Sequence, residues 1–336
     1  MKVVEIQETF GLDRLAIAER ERPSPGPSQI LLRMRAASLN YRDLLTVLGH
    51  YNPRQSLPLI PGSDGVGEVV ETGSAVRRVA VGDRVAPIFA QGWIGGEPTR
   101  EKLRSTLGGP LDGVLTEYMV VDETGVVRLP EHLTDEEGAC LPCAAVTAWS
   151  ALVTQAGVCA GDTVLIQGTG GVSIFSLQFA GLLGARAIVT SSSDEKLERA
   201  RELGAWQTIN YRETPKWGAR VKELTDGRGV DLVVEVGGAG TLSQSMAAVR
   251  FGGQISLIGV LAGGAAQLDV IPLLMQNIRV QGILVGHREG FEAMNRAIAQ
   301  HGLRPVVDRV FTLDDVRQAL DWMVAGKHLG KICIRF

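Results

Sequence analysis

The chain has 336 residues, of which 45% are hydrophobic and 21% charged, and its formal net charge at pH 7 is -3. This composition is typical of folded globular proteins, and the length favours two domains. The weak negative charge gives no electrostatic reason to expect a nucleic acid or an anionic membrane as partner. Its first residues are charged where a signal peptide is apolar, and no apolar run reaches membrane-spanning length, so we expect a cytoplasmic protein.

Residues 1–127 have the pattern of a β-rich module. Alternating apolar residues predict strands at 29–36 and 65–72, and the turn signal at 82–85 leads into a further strand. The segment 87–110 is a long excursion rich in glycine and proline, in which 100–107 could form a short helix. We interpret it either as a flap over a substrate cleft or as a plain surface excursion.

Residues 128–286 alternate between short apolar strands and helices. An alanine-rich helix is predicted over 139–156, and the domain boundary lies near it. The strands predicted after it are 164–167, 187–190, 208–210, 230–236 and 254–259, with helices at 171–184, 194–203 and 214–225. This alternation predicts an α/β fold with a doubly wound parallel sheet. Asp194 is the expected N-cap of the second helix.

Gly168, Gly170 and Gly171 lie between the first of these strands and its helix. Because glycine has no Cβ, a pyrophosphate can approach the amides at the start of the helix, which Val172 continues. The next strand ends about twenty residues further on, as a dinucleotide-binding fold requires. The pattern therefore predicts a dinucleotide cradle. Gly237 and Gly259 follow later strands and are predicted to admit the rest of the ligand, with simple turn geometry as the alternative.

The last part of the chain carries no nucleotide signature. An apolar stretch at 280–286 is the predicted edge strand of the sheet, and the helices 291–301 and 313–325 and the strand 331–336 are expected to return to the first domain. Because an apolar edge strand is prone to pair with another chain, we predict a homodimer through 280–286.

Four cysteines are too few for a disulfide scaffold. The spacing Cys140-x-x-Cys143 could be a redox or half-zinc motif, but no second pair exists. Buried free thiols are the simpler interpretation.

Several motifs, in this order and spacing, carry a family resemblance: Ala37-Ser-Leu-Asn-Tyr-Arg-Asp43, Pro61-Gly-Ser-Asp-Gly-Val-Gly-Glu68, Gly82-Asp-Arg-Val85 and Ala205-Trp-Gln-Thr-Ile-Asn-Tyr211. The chain resembles the medium-chain dehydrogenase/reductase superfamily, and within it the zinc-independent quinone oxidoreductase branch. The resemblance implies a GroES-like β-rich catalytic domain over 1–127, completed by 287–336. It also implies a Rossmann nucleotide-binding domain over 128–286.

The resemblance also bears on metal. In the alcohol dehydrogenase branch the catalytic zinc is held by a cysteine, a histidine and a second cysteine, and these positions fall on Asn40, Ser63 and Cys143 here. One thiolate cannot supply three protein ligands. The four-cysteine structural zinc lobe is missing as well, since 87–125 contains no cysteine. We therefore expect no zinc.

The same resemblance favours NADPH as cofactor. Ser191 and Ser192 lie where an acidic residue would select NADH, and Lys196 and Tyr211 match the phosphate-binding lysine and tyrosine of quinone reductases. A lysine charge with hydroxyl donors suits a 2′-phosphate. Asp194 is expected to cap its helix, but it could instead contact the ribose.

For the chemistry, the resemblance places Asn40 and Thr147 near the nicotinamide. Tyr51 matches the tyrosine that related enoyl thioester reductases use as proton donor, although packing could also explain it. His50 is a rival acid–base group, more simply an exposed loop histidine. Asp43 is expected to hold its loop by local hydrogen bonds.

The resulting hypothesis is an NADPH-dependent, zinc-independent oxidoreductase that reduces a quinone or an α,β-unsaturated carbonyl compound by hydride transfer. One alternative is an enoyl thioester reductase, in which Arg100, Lys102 and Arg104 could meet a coenzyme A phosphate. Another is a non-catalytic NADPH-binding sensor or structural protein. A zinc-type alcohol dehydrogenase is the least supported reading.

Overall fold

The computed structural model describes residues 1–265 and 267–336. The chain forms two compact units, Met1–Val146 with Gly286–Phe336, and Thr147–Val285. The first unit extends past the predicted boundary at 127, because the strand at 126–128 and the helix at 135–139 both pack on its sheet. In the described parts of the chain, no helix combines the length and the apolar character needed to cross a membrane.

The first part of the chain contributes mostly strands. They are β1 (Lys2–Ile6), β2 (Leu15–Glu19), β3 (Gln29–Leu39), β4 (Asp64–Thr72), β5 (Arg84–Pro87), β6 (Tyr118–Asp122) and β7 (Val126–Arg128). The helices are α1 (Tyr41–Val47), α2 (Arg100–Leu103) and α3 (Asp135–Ala139). The strands predicted at 29–36 and 65–72 are confirmed as β3 and β4. Helix α1 was not predicted, and the helix expected at 100–107 is only one turn long.

The predicted helix over 139–156 is present but irregular. Leu141–Ala145 and Ser150–Gln155 are π-helical, and α4 (Val146–Trp149) lies between them. The elements that follow are β8 (Thr163–Gln167), α5 (Gly171–Leu182), β9 (Arg186–Ser191), α6 (Asp194–Glu202), β10 (Gln207–Asn210), α7 (Trp217–Leu224), β11 (Val230–Glu235), α8 (Leu242–Ala248), β12 (Val249–Leu257), α9 (Ile271–Met275) and β13 (Arg279–Gly282). Here β12 begins earlier than the predicted 254, and β13 ends at 282 rather than 286.

The last elements are α10 (Arg288–His301), β14 (Val307–Thr312), α11 (Val316–Val324) and β15 (Lys331–Arg335). Strand β14 was not predicted. β15 pairs antiparallel with β3, which confirms that the end of the chain returns to the first unit. This pairing brings Lys331 next to the end of β3, where the candidate site begins.

Each unit is built on its own large sheet. The first unit has a seven-stranded sheet in the order β14-β15-β3-β4-β5-β7, with β6 paired to β3. The second has a six-stranded sheet in the order β10-β9-β8-β11-β12-β13, and every pairing in it is parallel. Numbered within this unit, that order is 3-2-1-4-5-6, the Rossmann order that binds dinucleotides where the strand order reverses. The predicted doubly wound fold is confirmed.

Candidate active site

The turn between β8 and α5 has the features of a phosphate cradle. Gly168 lies at φ +71°, a conformation that favours glycine. A Cβ at Gly170 would meet no atom within 4 Å, so the packing of the protein does not explain a glycine there. No side chain caps the twelve-residue helix α5. The space in front of these amides therefore fits the pyrophosphate that the sequence predicts.

Gly237 and Gly259 follow β11 and β12. Gly237 is in tight contact with its own loop, and Gly259 with the residue after β11. A Cβ on Gly259 would lie 2.4 Å from the Val236 carbonyl oxygen, and one on Gly237 would lie 2.2 Å from Thr241 Oγ1. Local packing is sufficient reason for glycine at both positions. Their contact with a dinucleotide stays a prediction.

A buried carboxylate that we did not predict organises this end of the sheet. Glu235, the last residue of β11, is fully buried. It accepts hydrogen bonds from Gln167 Nε2 at 2.6 Å, from the Gly237 and Gly238 amides at 2.8 and 2.9 Å, and from Thr241 Oγ1 and Ser245 Oγ. It thereby joins the first strand of the cradle to the later glycine turn. An acidic residue inside an apolar strand, just before a glycine pair, was the available signal.

The residues predicted to read the adenosine ribose are brought together at the ends of β9 and β10. The Tyr211 amide donates to the Ser191 carbonyl oxygen at 3.1 Å. Ser192 and Lys196 lie on the adjoining turn and first turn of α6, half-buried. The Tyr211 side chain is exposed. The serine and tyrosine hydroxyls and the Lys196 amine at this corner of the sheet are hydrogen-bond donors of the kind that bind a phosphate group.

The prediction that Asp194 caps α6 was wrong. Ser193 is the N-cap, and its Oγ accepts from the Lys196 amide at 3.4 Å. Asp194 is the first helical residue, and its Oδ1 accepts from Asn210 Nδ2 at 2.9 Å. Serine and aspartate are both good N-caps, so the local sequence did not distinguish them.

Thr147, the remaining cofactor candidate, opens the second unit and is buried. The two catalytic candidates, Asn40 and Tyr51, flank α1 in the first unit.

Asp43 holds the start of α1. Its Oδ2 accepts from the Asn40 backbone amide at 2.8 Å, and its side chain is fully buried. Burial raises the pKa of Asp43 to about 6, against the opposing effect of the Arg42 charge. A side chain without exposure cannot act as a base on substrate, so the expected structural role of Asp43 is supported.

Arg42 connects α1 to Tyr51. Its guanidinium donates to the carbonyl oxygens of Leu107 and Gly109, at 2.9 and 3.2 Å. It also lies over the ring of Tyr51, 4.8 Å from the centroid, and over that of Phe89. Tyr51 is 45% exposed, and the Arg42 cation contacts its ring. His50 is exposed, as the simpler reading expected.

The excursion 87–110 is anchored rather than loose. Phe89, Trp93 and Leu107 are buried, and Arg42 binds its far end. Lys102 Nζ donates to the carbonyl oxygens of Gly95 and Glu97, at 2.8 and 2.7 Å. That engagement leaves Lys102 less suited to the coenzyme A contact considered above.

Asn40, Ser63 and Cys143 do not form a zinc donor set. The Asn40 oxygen accepts from the Lys331 ammonium, so the amide nitrogen is the group left for other partners. Ser63 Oγ donates to Asp64 Oδ1 at 2.8 Å, and burial raises the pKa of the Cys143 thiol far above its ordinary range. Over 1–265 and 267–336, no three His, Cys, Asp or Glu side chains cluster as a metal site. The donor chemistry therefore does not fit the zinc of the alcohol dehydrogenase branch.

The two cysteines of the predicted Cys-x-x-Cys motif do not act as a pair. Cys140 is buried, and its sulfur lies 3.5 Å from that of Cys333 on β15. Cys143 is half-buried, and its backbone amide donates to Asp64 Oδ2 at 2.9 Å. These thiols are free, as the simpler interpretation expected.

Family models match most of the chain. Residues 26–131 match the alcohol dehydrogenase GroES-like domain, and residues 171–300 match the zinc-binding dehydrogenase domain. A zinc-type alcohol dehydrogenase-like protein of Schizosaccharomyces pombe is 42% identical over 100% of this chain and 99% of its own length. The chain belongs to the medium-chain dehydrogenase/reductase superfamily. It is an oxidoreductase of that family.

Solved structures of the superfamily agree with this fold. A candidate alcohol dehydrogenase of Sinorhizobium meliloti 1021 superimposes with a TM-score of 0.93 at 42% identity, covering 100% and 99% of the two chains. An NAD-dependent alcohol dehydrogenase gives 0.92 at 30% identity, with both chains fully covered.

More distant members differ in substrate and cofactor. An acryloyl-coenzyme A reductase of Metallosphaera sedula is 29% identical, with 95% of each chain covered. A quinone oxidoreductase-like protein 2 homolog of Nematostella vectensis is also 29% identical, covering 92% of this chain and 82% of its own. A 2-octenoyl-CoA carboxylase reductase solved with NADP is 25% identical, has a TM-score of 0.88 and covers 99% and 87% of the chains. Membership of the superfamily alone therefore does not decide the reaction.

Proposed function

We propose that this protein is an NADPH-dependent, metal-independent reductase of conjugated carbonyl compounds, quinones or α,β-unsaturated ketones. The observation that carries the proposal is the state of Asn40 and Ser63. The Asn40 oxygen accepts from Lys331, and the Ser63 hydroxyl is bonded to Asn40 and Asp64, so neither oxygen is left as a metal ligand and the NH₂ group is the donor side of Asn40. An N–H donor stabilises an oxygen that gains negative charge, which is what such a reduction requires.

The protein would hold the cofactor through two sets of residues. The turn at Gly168, Gly170 and Gly171, with Val172, would bind the pyrophosphate, and Ser191, Ser192, Lys196 and Tyr211 would bind the 2′-phosphate. Bound nicotinamide supplies the hydride. Relatives include both an NAD-dependent enzyme and one solved with NADP, so the choice of NADPH rests on the lysine and hydroxyl groups of this corner.

Two side chains of the first unit would act on the substrate oxygen. The Asn40 amide would donate a hydrogen bond to it, and the Tyr51 hydroxyl would deliver the proton. Arg42 contacts the Tyr51 ring, and the residue is 45% exposed. Asp43 takes no part in the proton transfer because it is fully buried.

The test combines metal analysis with an acceptor screen. We expect less than about one tenth of an equivalent of zinc after dialysis against metal-free buffer. We also expect oxidation of NADPH by a small quinone or enone. Stoichiometric zinc with chelator-sensitive alcohol oxidation would overturn the proposal in favour of the zinc-type reading suggested by the name of the Schizosaccharomyces pombe relative. NADPH binding with no turnover on any acceptor would favour a sensor.

A second candidate is an enoyl thioester reductase. The acryloyl-coenzyme A reductase among the relatives favours it. The same screen distinguishes the two, because this candidate requires a much higher kcat/KM for an enoyl-coenzyme A ester than for the corresponding free enone.

A further inference from the structure

Lys331 is a buried lysine in the first unit. It is 3% exposed, at the start of β15, where Ile332 pairs with Leu39 of β3. Its ammonium donates to the Leu39 carbonyl oxygen at 2.7 Å and to Asn40 Oδ1 at 2.5 Å. Burying a charge is costly unless it is paired, so a lysine in this position needs a compensating partner.

The compensation comes from two buried carboxylates, Asp43 and Asp64, neither of which has any exposure. Burial raises the pKa of both groups, and the charge of Lys331 acts against that rise in each case. Arg42 provides a second positive charge beside Asp43. With both carboxylates ionised, the cluster of Lys331, Arg42, Asp43 and Asp64 has two charges of each sign.

The hydrogen bonds in this cluster run in one direction. An ammonium can only donate and an ionised carboxylate can only accept, so the two ends of the chain are determined. Lys331 donates to the Asn40 oxygen, Asn40 Nδ2 donates to Ser63 Oγ at 3.3 Å, and Ser63 Oγ donates to Asp64 Oδ1 at 2.8 Å. The Asn40 amide therefore cannot turn over without placing its NH₂ group against the ammonium.

The NH₂ group is the donor side of the Asn40 amide. One of its N–H groups donates to Ser63 Oγ at 3.3 Å, and the amide also interacts with Asp64, which lowers the pKa of that carboxyl against the effect of burial. A helix cap uses the oxygen of an asparagine side chain as acceptor, so α1 makes no claim on the NH₂ group of Asn40. Asn40 is half-buried and keeps part of its surface open.

We propose that Lys331 is a positioning residue that fixes the orientation of the Asn40 amide, with its NH₂ group as the donor for the substrate oxygen, and that Ser63 and Asp64 complete this arrangement. The inference rests on the proposed function and deepens it. The site selects compounds whose oxygen accepts a hydrogen bond as it gains charge, as the oxygen of a quinone or enone does. Lys331 itself acts through Asn40 and does not contact the substrate.

The first test observes the Asn40 side chain directly. The chain contains five asparagines, so protein labelled with 15N-asparagine gives few side-chain amide signals, and the Asn40 pair is the one absent from Asn40→Ala. We expect Lys331→Met to shift this pair and the exposed control Lys327→Met to leave it unchanged. An unchanged Asn40 pair in Lys331→Met would overturn the inference.

Lys331→Met removes a counter-charge and could impair folding. Ser63→Ala provides a second route, because it breaks the chain of hydrogen bonds without changing any buried charge. We expect Ser63→Ala to shift the Asn40 signals as well. If Lys331→Met does not fold, an unchanged Asn40 pair in Ser63→Ala overturns the inference.

The second test is a double-mutant cycle on turnover with an acceptor from the screen. Lys331→Met is expected to lower kcat about tenfold or more while the dissociation constant for NADPH changes less than about twofold. In the Asn40→Ala background the same change should have almost no effect, because the two residues act as one unit. If the two losses of kcat multiply in the double variant, Lys331 acts independently of Asn40, which would overturn the inference. A wild type that reduces no acceptor would refute the proposed function, whereas the spectra still decide the position of the amide.

Discussion

The guanidinium carbon of Arg42 lies 4.8 Å from the centroid of the Tyr51 ring. Arg42 is the second residue of α1, two positions after Asn40, so the contact holds the Tyr51 ring against the helix that begins at Asn40. The cation contacts the aromatic face, and the residue as a whole stays 45% exposed.

Tyr51→Phe tests the proposed proton donor. The variant keeps the ring over Arg42 and loses only the hydroxyl, so we expect kcat for the carbonyl acceptor to fall about 100-fold, with NADPH affinity unchanged. His50→Gln is the control for the neighbouring exposed histidine and should retain activity. Full turnover in Tyr51→Phe would assign the tyrosine to packing.

Lys196→Ala and Tyr211→Phe test the choice of cofactor. If these side chains bind the 2′-phosphate, KM for NADPH should rise about tenfold or more in Lys196→Ala, and KM for NADH should not change. Lys216→Ala removes an exposed lysine elsewhere in the same unit and serves as the control. Equal changes for both nucleotides would argue against a phosphate contact.

From the raised pKa of Asp43 we expect the free energy of unfolding to depend on pH. Its pKa is about 6 in the folded state against an ordinary value of 3.8, so the folded state binds more protons between these values. Its contribution to stability is complete below pH 3.8 and is lost as the pH rises through 6. The loss is up to about 3 kcal/mol, and Arg42, Asp64 and Lys331 are the charged groups that modulate it.

Asp43→Asn cannot ionise, so its free energy of unfolding should fall less than that of the wild type between pH 4 and pH 7. Urea unfolding at several pH values measures this difference. Asp314→Asn, which removes an exposed carboxylate, is the control. Identical pH profiles for Asp43→Asn and the wild type would contradict the prediction.

From the lowered pKa of Asp231, in the second unit, we expect the opposite pH dependence of stability. Burial raises its pKa, but the hydrogen bonds from Arg228 and Arg250, both at 2.6 Å, outweigh burial and lower the pKa to about 2. The contribution of Asp231 to the free energy of unfolding is present above pH 3.8 and is lost as the pH falls through about 2.

Asp231→Asn should therefore lose about 2 kcal/mol of unfolding free energy at pH 7. Glu202→Gln breaks an exposed pair with Arg199 and should lose less than about 0.5 kcal/mol. Chemical denaturation of the three proteins makes the comparison. Similar losses of unfolding free energy in the two variants would show that the Asp231 ion pairs stabilise the protein no more than the exposed pair does.

The edge of the second sheet predicts a homodimer. All of β13 is exposed, and Leu274, Met275 and Val280 nearby are 79%, 69% and 40% exposed. We expect a dimer by sedimentation at micromolar concentration and a shift to monomer in Val280→Lys. Val324→Lys changes an exposed valine of the first unit and should leave the dimer intact. A wild type that sediments as a monomer would rule this interface out.

Much of the second unit could be predicted because its signals are local. Apolar runs predicted its strands, and the glycines after β8 predicted the turn with φ +71° at Gly168. Glu235 was missed because its partners, Gln167 and Ser245, lie far from it in sequence or on another element. Asp194 was misassigned because two adjacent residues were equally suitable caps.

The sequence by itself determined the fold class, the order of the two modules and the glycine turn after β8, because periodicity, turn residues and motif spacing act over short distances. Only the tertiary structure decided what the Asn40 side chain presents. Its partner Lys331 is 291 residues away and reaches it because β15 pairs with β3 in one register. Hydrogen bonds between distant segments depend on that register, and no local pattern encodes it.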